Sequence, residues 1–207
     1  MESIGGSASI HSVENKLSFL KKDFQGDKNF TLYDDPLFEE GFDTHSFDDE
    51  GVQTRKKALI EKGEFKTYLY NHHFSKKYGV ENTGNAGLVS PHTFNLILEA
   101  KQTRDFNDLV KEIKRGLIVT NVWYMRFQNY FTGEFSCICR DACYYVENGS
   151  ILHPVKNARI NGIIPEMFQK VIGYSNDFER IHSWEAEGFV YTPSILFDDV
   201  KITNPVT

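Results

Sequence analysis

The sequence predicts an α+β chain dominated by strands, with antiparallel or mixed sheets and a few short helices. Three observations carry that expectation. Short β-like runs follow one another from about Lys56 onward, two Gly-containing turns sit between such runs, and only one stretch has a clear helical stripe.

In chain order, Met1 to Phe30 is polar and Gly/Ser-rich at its start. It reads as a partly flexible N-terminal edge segment, residues 1–30, ahead of one domain over 31–207. Lys57-Ala58-Leu59-Ile60 and Phe65 to Tyr70 flank Glu61-Lys62-Gly63-Glu64 as a hairpin, Gly63 supplying the positive φ that such a turn needs. His72-His73 points its rings apart in helix or strand, so a helix starting near Phe74 and reaching Tyr78 is expected there rather than a shared metal. Between Thr103 and Arg115, Phe106, Leu109, Val110 and Ile113 fall at i, i+3, i+4 and i+7, with Thr103 as N-cap and Gly116 as stop.

A strand is expected from Leu117 to about Met125. Asn148-Gly149 then joins Ala142–Glu147 to Ser150–Val155 in a second hairpin. A short helix over Pro165 to Ile172, stopped by Gly173, and a closing strand over Ser194 to Thr203 complete the reading.

Composition limits the function. A chain of 207 residues, 40% hydrophobic and 14% aromatic, can bury a core. No apolar run approaches the roughly 20 residues that span a bilayer, so the expectation is a soluble, cytoplasmic protein with no membrane partner. A net charge of −6 works against nucleic-acid binding. Cys137, Cys139 and Cys143 form an odd, clustered set, which suits a reducing compartment. On a strand they share parity, yet three thiols without a suitably spaced His fall short of a four-ligand zinc site, and Arg140-Asp141 is expected to interrupt the strand. Buried free thiols are the expectation.

Asp34-Asp35 and Asp48-Asp49-Glu50 could act as acid/base pairs, but beside Pro36 and Gly51 such clusters cap turns. In the stretch from Asn121 to Asn129, alternation sets Asn121, Trp123 and Met125 on one face and Val122, Tyr124 and Arg126 on the other. This strand is either plain core or, through Asn121, Trp123, Tyr124, Arg126 and Asn129, a peptide groove or partner interface.

Several blocks resemble the PmbA/TldD family. Phe47 to Val52, Glu81 to Ala86, Val119 to Asn129, Thr132 to Ser136 and Arg140 to Ala142 with Val146 to Gly149 stand in the family's order over roughly residues 7 to 203. The later blocks take the form associated with archaeal members. Gly6-Ser7-Ala8 and Leu17 to Leu20 resemble the non-catalytic PmbA/TldE branch. The resemblance implies zinc peptidases that carry a His-Glu-x-x-x-His helix and a late Cys ligand. Here the seven histidines are followed by Ser12, Ser46, His73, Phe74, Thr93, Pro154 and Ser183, and no cysteine follows Cys143.

The resemblance therefore implies a non-catalytic subunit, or a C-terminal fragment, of a peptidase acting on unfolded peptides. It has no catalytic or metal residues of its own, and zinc is expected only in a TldD-like catalytic partner. Self-association is the other expected assembly. A stand-alone peptide-binding or assembly module with no enzymatic role is the alternative.

Overall fold

The computed structural model describes residues 1–182 and 188–203. Five helices of five to seven residues and twelve strands bear out the strand-dominated α+β class. The helices are α1 Glu2–Ala8, α2 Ile10–Glu14, α3 His72–Tyr78, α4 Phe106–Lys111 and α5 Ile164–Gln169. The strands are β1 Phe30–Asp34, β2 Lys57–Glu61, β3 Glu64–Phe65, β4 Asn95–Ala100, β5 Thr103–Arg104, β6 Arg115–Asn129, β7 Glu134–Glu147, β8 Ser150–Pro154, β9 Arg159–Ile163, β10 Val171–Ile181, β11 Phe189–Phe197 and β12 Lys201–Thr203.

Two compact units emerge, and their boundary differs from the expected division at residue 31. The first holds Met1–Lys101 with Phe178–Thr192, the second Gln102–Asp177 with Pro193–Thr207. Residues 1–30 fall within the first unit and contribute buried side chains to it. Ile4, Ala8 and Leu20 are buried, and α1 leads into a bridge in which Leu69 donates its N–H to the Ala8 carbonyl at 2.8 Å. A Cβ on Gly5 would meet Leu96 at 2.9 Å, which explains a glycine in a helix at that point. The polar composition hid this packing because the few apolar residues there are spaced over two short helices and a turn.

In the first unit β1 runs antiparallel to both β2 and β4, and β11 runs parallel to β4, so the sheet is mixed. Its interior is Leu32, Leu59, Ile60, Leu96 and Leu98. The β2–β3 turn is as expected, with Lys62 and Gly63 both at positive φ. The second arm is shorter than expected because pairing ends at Phe65. Helix α3 begins at His72, ahead of the expected start, because the Asn71 side chain accepts from the Phe74 N–H at 3.1 Å. Gly79, at φ 65°, ends it.

In the second unit β6, β7, β9 and β12 form an antiparallel sheet, with β8 also on β7. Helix α4 is shorter than its apolar stripe. Thr103 is not the cap: it pairs with Tyr174 in a parallel bridge, and Asp105 caps instead, accepting from the Asn107 N–H at 2.8 Å. Gly116 is not the stop either, since it lies in β6. The Asn148-Gly149 turn engages the carbonyls that would have extended the helix, Asn148 donating to Lys114 and Gly149 to Ile113, each at 2.9 Å. Likewise α5 stops at Lys170, and Gly173 lies inside β10. The expected closing strand is two strands, β11 starting earlier at Phe189 and β12 following a break.

Candidate functional site

The acidic pairs resolve first, because they are the residues that most resemble catalytic groups. Asp34 is fully buried, and it accepts from the Lys57 ammonium at 2.9 Å, the Asn85 side chain at 2.7 Å and the Phe94 N–H at 2.7 Å. Asp48 accepts from the N–H groups of Glu50, Val52 and Ala86 at 2.8 to 3.0 Å. These carboxylates organise turns and close the space between strands. Burial lowers the Lys57 pKa, and the charge of Asp34 works against that shift.

The stretch Asn121 to Asn129 lies on β6, which pairs with β7 across the Thr132-Gly133 turn. Val122 and Tyr124 are exposed while Asn121, Trp123 and Met125 are half-buried, so the expected two-faced strand is present. Its alternation is broken by bulges. Between Trp123↔Ile138 and Arg126↔Ser136, β6 advances three residues against two on β7, and Tyr124 sits at φ 57°. Asp141, at φ 62°, marks a second bulge, so Arg140-Asp141 bends β7 without ending it.

Each predicted residue has a definite environment. The Arg126 guanidinium lies 4.2 Å from the Tyr124 ring centre, and Arg140 lies 4.7 Å from that of Trp123. Asn121 donates to Asp141 at 2.7 Å. Trp123 and Tyr124 meet edge to face at 5.4 Å. The Trp123 indole Nε1 is buried and has no acceptor among the described residues. Asn129 stands apart from this group. Its side chain accepts from the N–H groups of Phe131 and Thr132, which makes it a turn residue.

Arg140 and Asp141 are part of the cluster, and sequence reading had assigned them only a strand break. Counting outward from the Thr132-Gly133 turn without bulges sets Asn121 opposite Tyr144, so its pairing with Arg140 depends on the register shifts along the hairpin.

The thiol chemistry is inert. Cys137, Cys139 and Cys143 are free and buried, and Cys139 and Cys143 share a cluster with Ala158. Burial pushes the Cys137 thiol up to about 11 and the Cys139 thiol up to about 12. Zinc binding would have to offset both that burial and the loss of the thiol protons. Among the described residues no three His, Cys, Asp or Glu side chains come together in a way that could hold an ion. No described helix is long and apolar enough to cross a membrane.

Fold and site together define a strand-rich α+β domain that carries a long aromatic hairpin. Residues 1–204 match the profile described as the PmbA/TldA metallopeptidase C-terminal domain. The chain belongs to the PmbA/TldD family.

It is 32% identical over 159 residues to a metalloprotease PmbA homolog of Haemophilus influenzae, covering 76% of this chain and 32% of that protein. It is 29% identical to metalloprotease PmbA of Escherichia coli O157:H7, covering 84% and 36%. Among solved structures, TldE of Thermococcus kodakarensis superposes with a TM-score of 0.81 at 26% identity, covering 97% of this chain and 46% of that one. The chain thus spans about a third of these curated relatives and just under half of the solved one.

Proposed function

We propose that this chain acts as a non-catalytic, TldE/PmbA-like part of a cytoplasmic TldD/TldE-type zinc peptidase system that handles unfolded peptides. The single observation that carries this reading is the Trp123 indole N–H, buried on β6 with no acceptor among the described residues. A buried donor without a partner costs about 1–3 kcal/mol. A carbonyl from an extended peptide or from a partner's strand would remove that cost. Tyr124 and Arg126, stacked and exposed beside it, are the residue types that dominate binding hot spots.

In this reading Asn121 and Arg140 hold the cluster in place, Asn129 shapes the adjoining turn, and the zinc is supplied by the catalytic partner. The odd cysteine count fits a reducing compartment.

The test mixes the purified chain with a TldD-like protein that carries the His-Glu-x-x-x-His helix. Light scattering should report a complex larger than either component, and Trp123→Ala should weaken it about tenfold or more. A Trp123→Ala variant that assembles normally and merely melts earlier would return Trp123 to the core. A chain that ignores the partner but binds an unfolded peptide would favour the stand-alone module.

A further inference from the structure

A cavity of about 550 Å³ opens in the first unit, lined by residues of the β2–β3 hairpin, the stretch after it and the segment that follows α3. That volume is typical of small-ligand sites, which combine an apolar wall with a few polar groups. Phe65, Tyr68 and Tyr70 form the wall here, and Lys22, Arg55, Lys57 and Lys66 supply four cations against the carboxylate of Glu81. In a chain of net charge −6, that local excess has to be explained.

The cations differ in how far they are already engaged. Lys66 pairs with Glu64 and Glu61, all of them well exposed, so those pairs exchange readily with water. Lys57 is different, because its side chain is only 10% exposed and Asp34 is its one acceptor among the described residues. An ammonium has three donors, so two hydrogens of a nearly buried group lack a protein acceptor while the residue lines a cavity. Arg55 donates to the Asn82 carbonyl and forms an ion pair with Glu81, both at 2.9 Å, but Glu81 is 83% exposed and most of the five guanidinium donors remain. Burial chiefly lowers the Lys57 pKa, and the charge of Arg55 lowers it further. The two cations therefore repel each other, and the one carboxylate that lines the cavity, Glu81, is exposed and, among the described residues, paired with Arg55 alone.

We propose that this cavity binds an organic carboxylate bearing an aromatic or apolar group, its oxygens held by Lys57 and Arg55 and its apolar body against Tyr68 and Tyr70. A fork of two oxygens matches an ammonium and a guanidinium side by side. Inorganic phosphate would leave the aromatic wall uncovered. The site uses none of the β6 residues, so it stands or falls independently of the peptidase-subunit reading.

The experiment is calorimetric titration of the whole chain with N-acetylphenylalanine, with its amide and with inorganic phosphate. The acid should bind, and the amide and phosphate should bind at least about tenfold more weakly, the loss expected for a charge-assisted hydrogen bond. Lys57→Met would leave Asp34 uncompensated, so the variant of choice is Arg55→Gln, with its fold verified by urea unfolding. Arg55→Gln should weaken the acid about tenfold, and Lys111→Gln, on α4, should leave it unchanged. Equal binding of acid and amide, phosphate binding as tightly as the acid, no heat at millimolar concentrations, or unchanged binding by Arg55→Gln would each overturn the proposal.

Discussion

The two compact units hold themselves together differently. All but Tyr174 and Val146 of the twelve largest fully buried side chains lie in the first unit, which also contains the buried Asp34–Lys57–Asn85 network. The second unit is built on the long β6–β7 hairpin, whose aromatic residues other than buried Phe135 are half-buried or exposed and whose Trp123 donor lacks an acceptor among the described residues. Residues that resemble catalytic acids are structural in the first unit. In the second, an aromatic strand presents Val122, Tyr124 and Arg126 to solvent.

The largest expected effect tests the first half of that contrast. Asp34→Ala strands a nearly buried ammonium and two further donors, so urea denaturation should report a loss of about 3–5 kcal/mol. Asp141→Asn, which removes an exposed charge from the hairpin but keeps a side chain that tolerates φ 62°, should stay within about 0.5 kcal/mol. Equal losses from both would break the comparison.

A smaller effect comes from the thiols of β7. Buried Cys137 and Cys139 keep their protons up to about 11 and about 12, whereas an unfolded cysteine titrates near 8.5. Below about pH 8.5 both states are protonated and the stability is whole. As the pH rises from there toward the folded values, the unfolded chain releases protons that the folded chain retains. Stability should then fall by on the order of 1.4 kcal/mol per pH unit per thiol. The lowered pKa of Lys57 acts in the opposite direction, so the clean measurement is the difference in slope between the wild type and Cys137→Ala. A slope unchanged by that substitution would show that the thiol is not desolvated.

The smallest effect concerns Tyr124, an aromatic residue at φ 57°. Asn tolerates that region better, and strain of this kind is worth about 1 kcal/mol. Tyr124→Asn should therefore raise stability by no more than about 1 kcal/mol while weakening association with a catalytic partner. A variant that gains stability and assembles normally would make the strained tyrosine a feature of folding alone.

Much of this was legible in the linear sequence, and the parts that were follow from local chemistry. Lys62-Gly63 and Asn148-Gly149 set both tight hairpins because their backbones accept positive φ, and the ordered blocks from Phe47 to Gly149 carried the family. The turn role of Asp48 was readable from Gly51 beside it. What escaped depended on partners distant in the chain. Helix α4 ends where Asn148 and Gly149 reach back to Lys114 and Ile113, and helix α1 packs into the first unit because Leu69 and Leu96 meet it. The five residues expected to form one groove divide because bulges at Tyr124 and Asp141 reset the register, leaving Asn129 to a turn and bringing in Arg140. Periodicity states which face a residue takes on its own strand. Only the completed hydrogen-bond ladder decides which residue of another strand it meets, since one inserted residue changes every pairing beyond it.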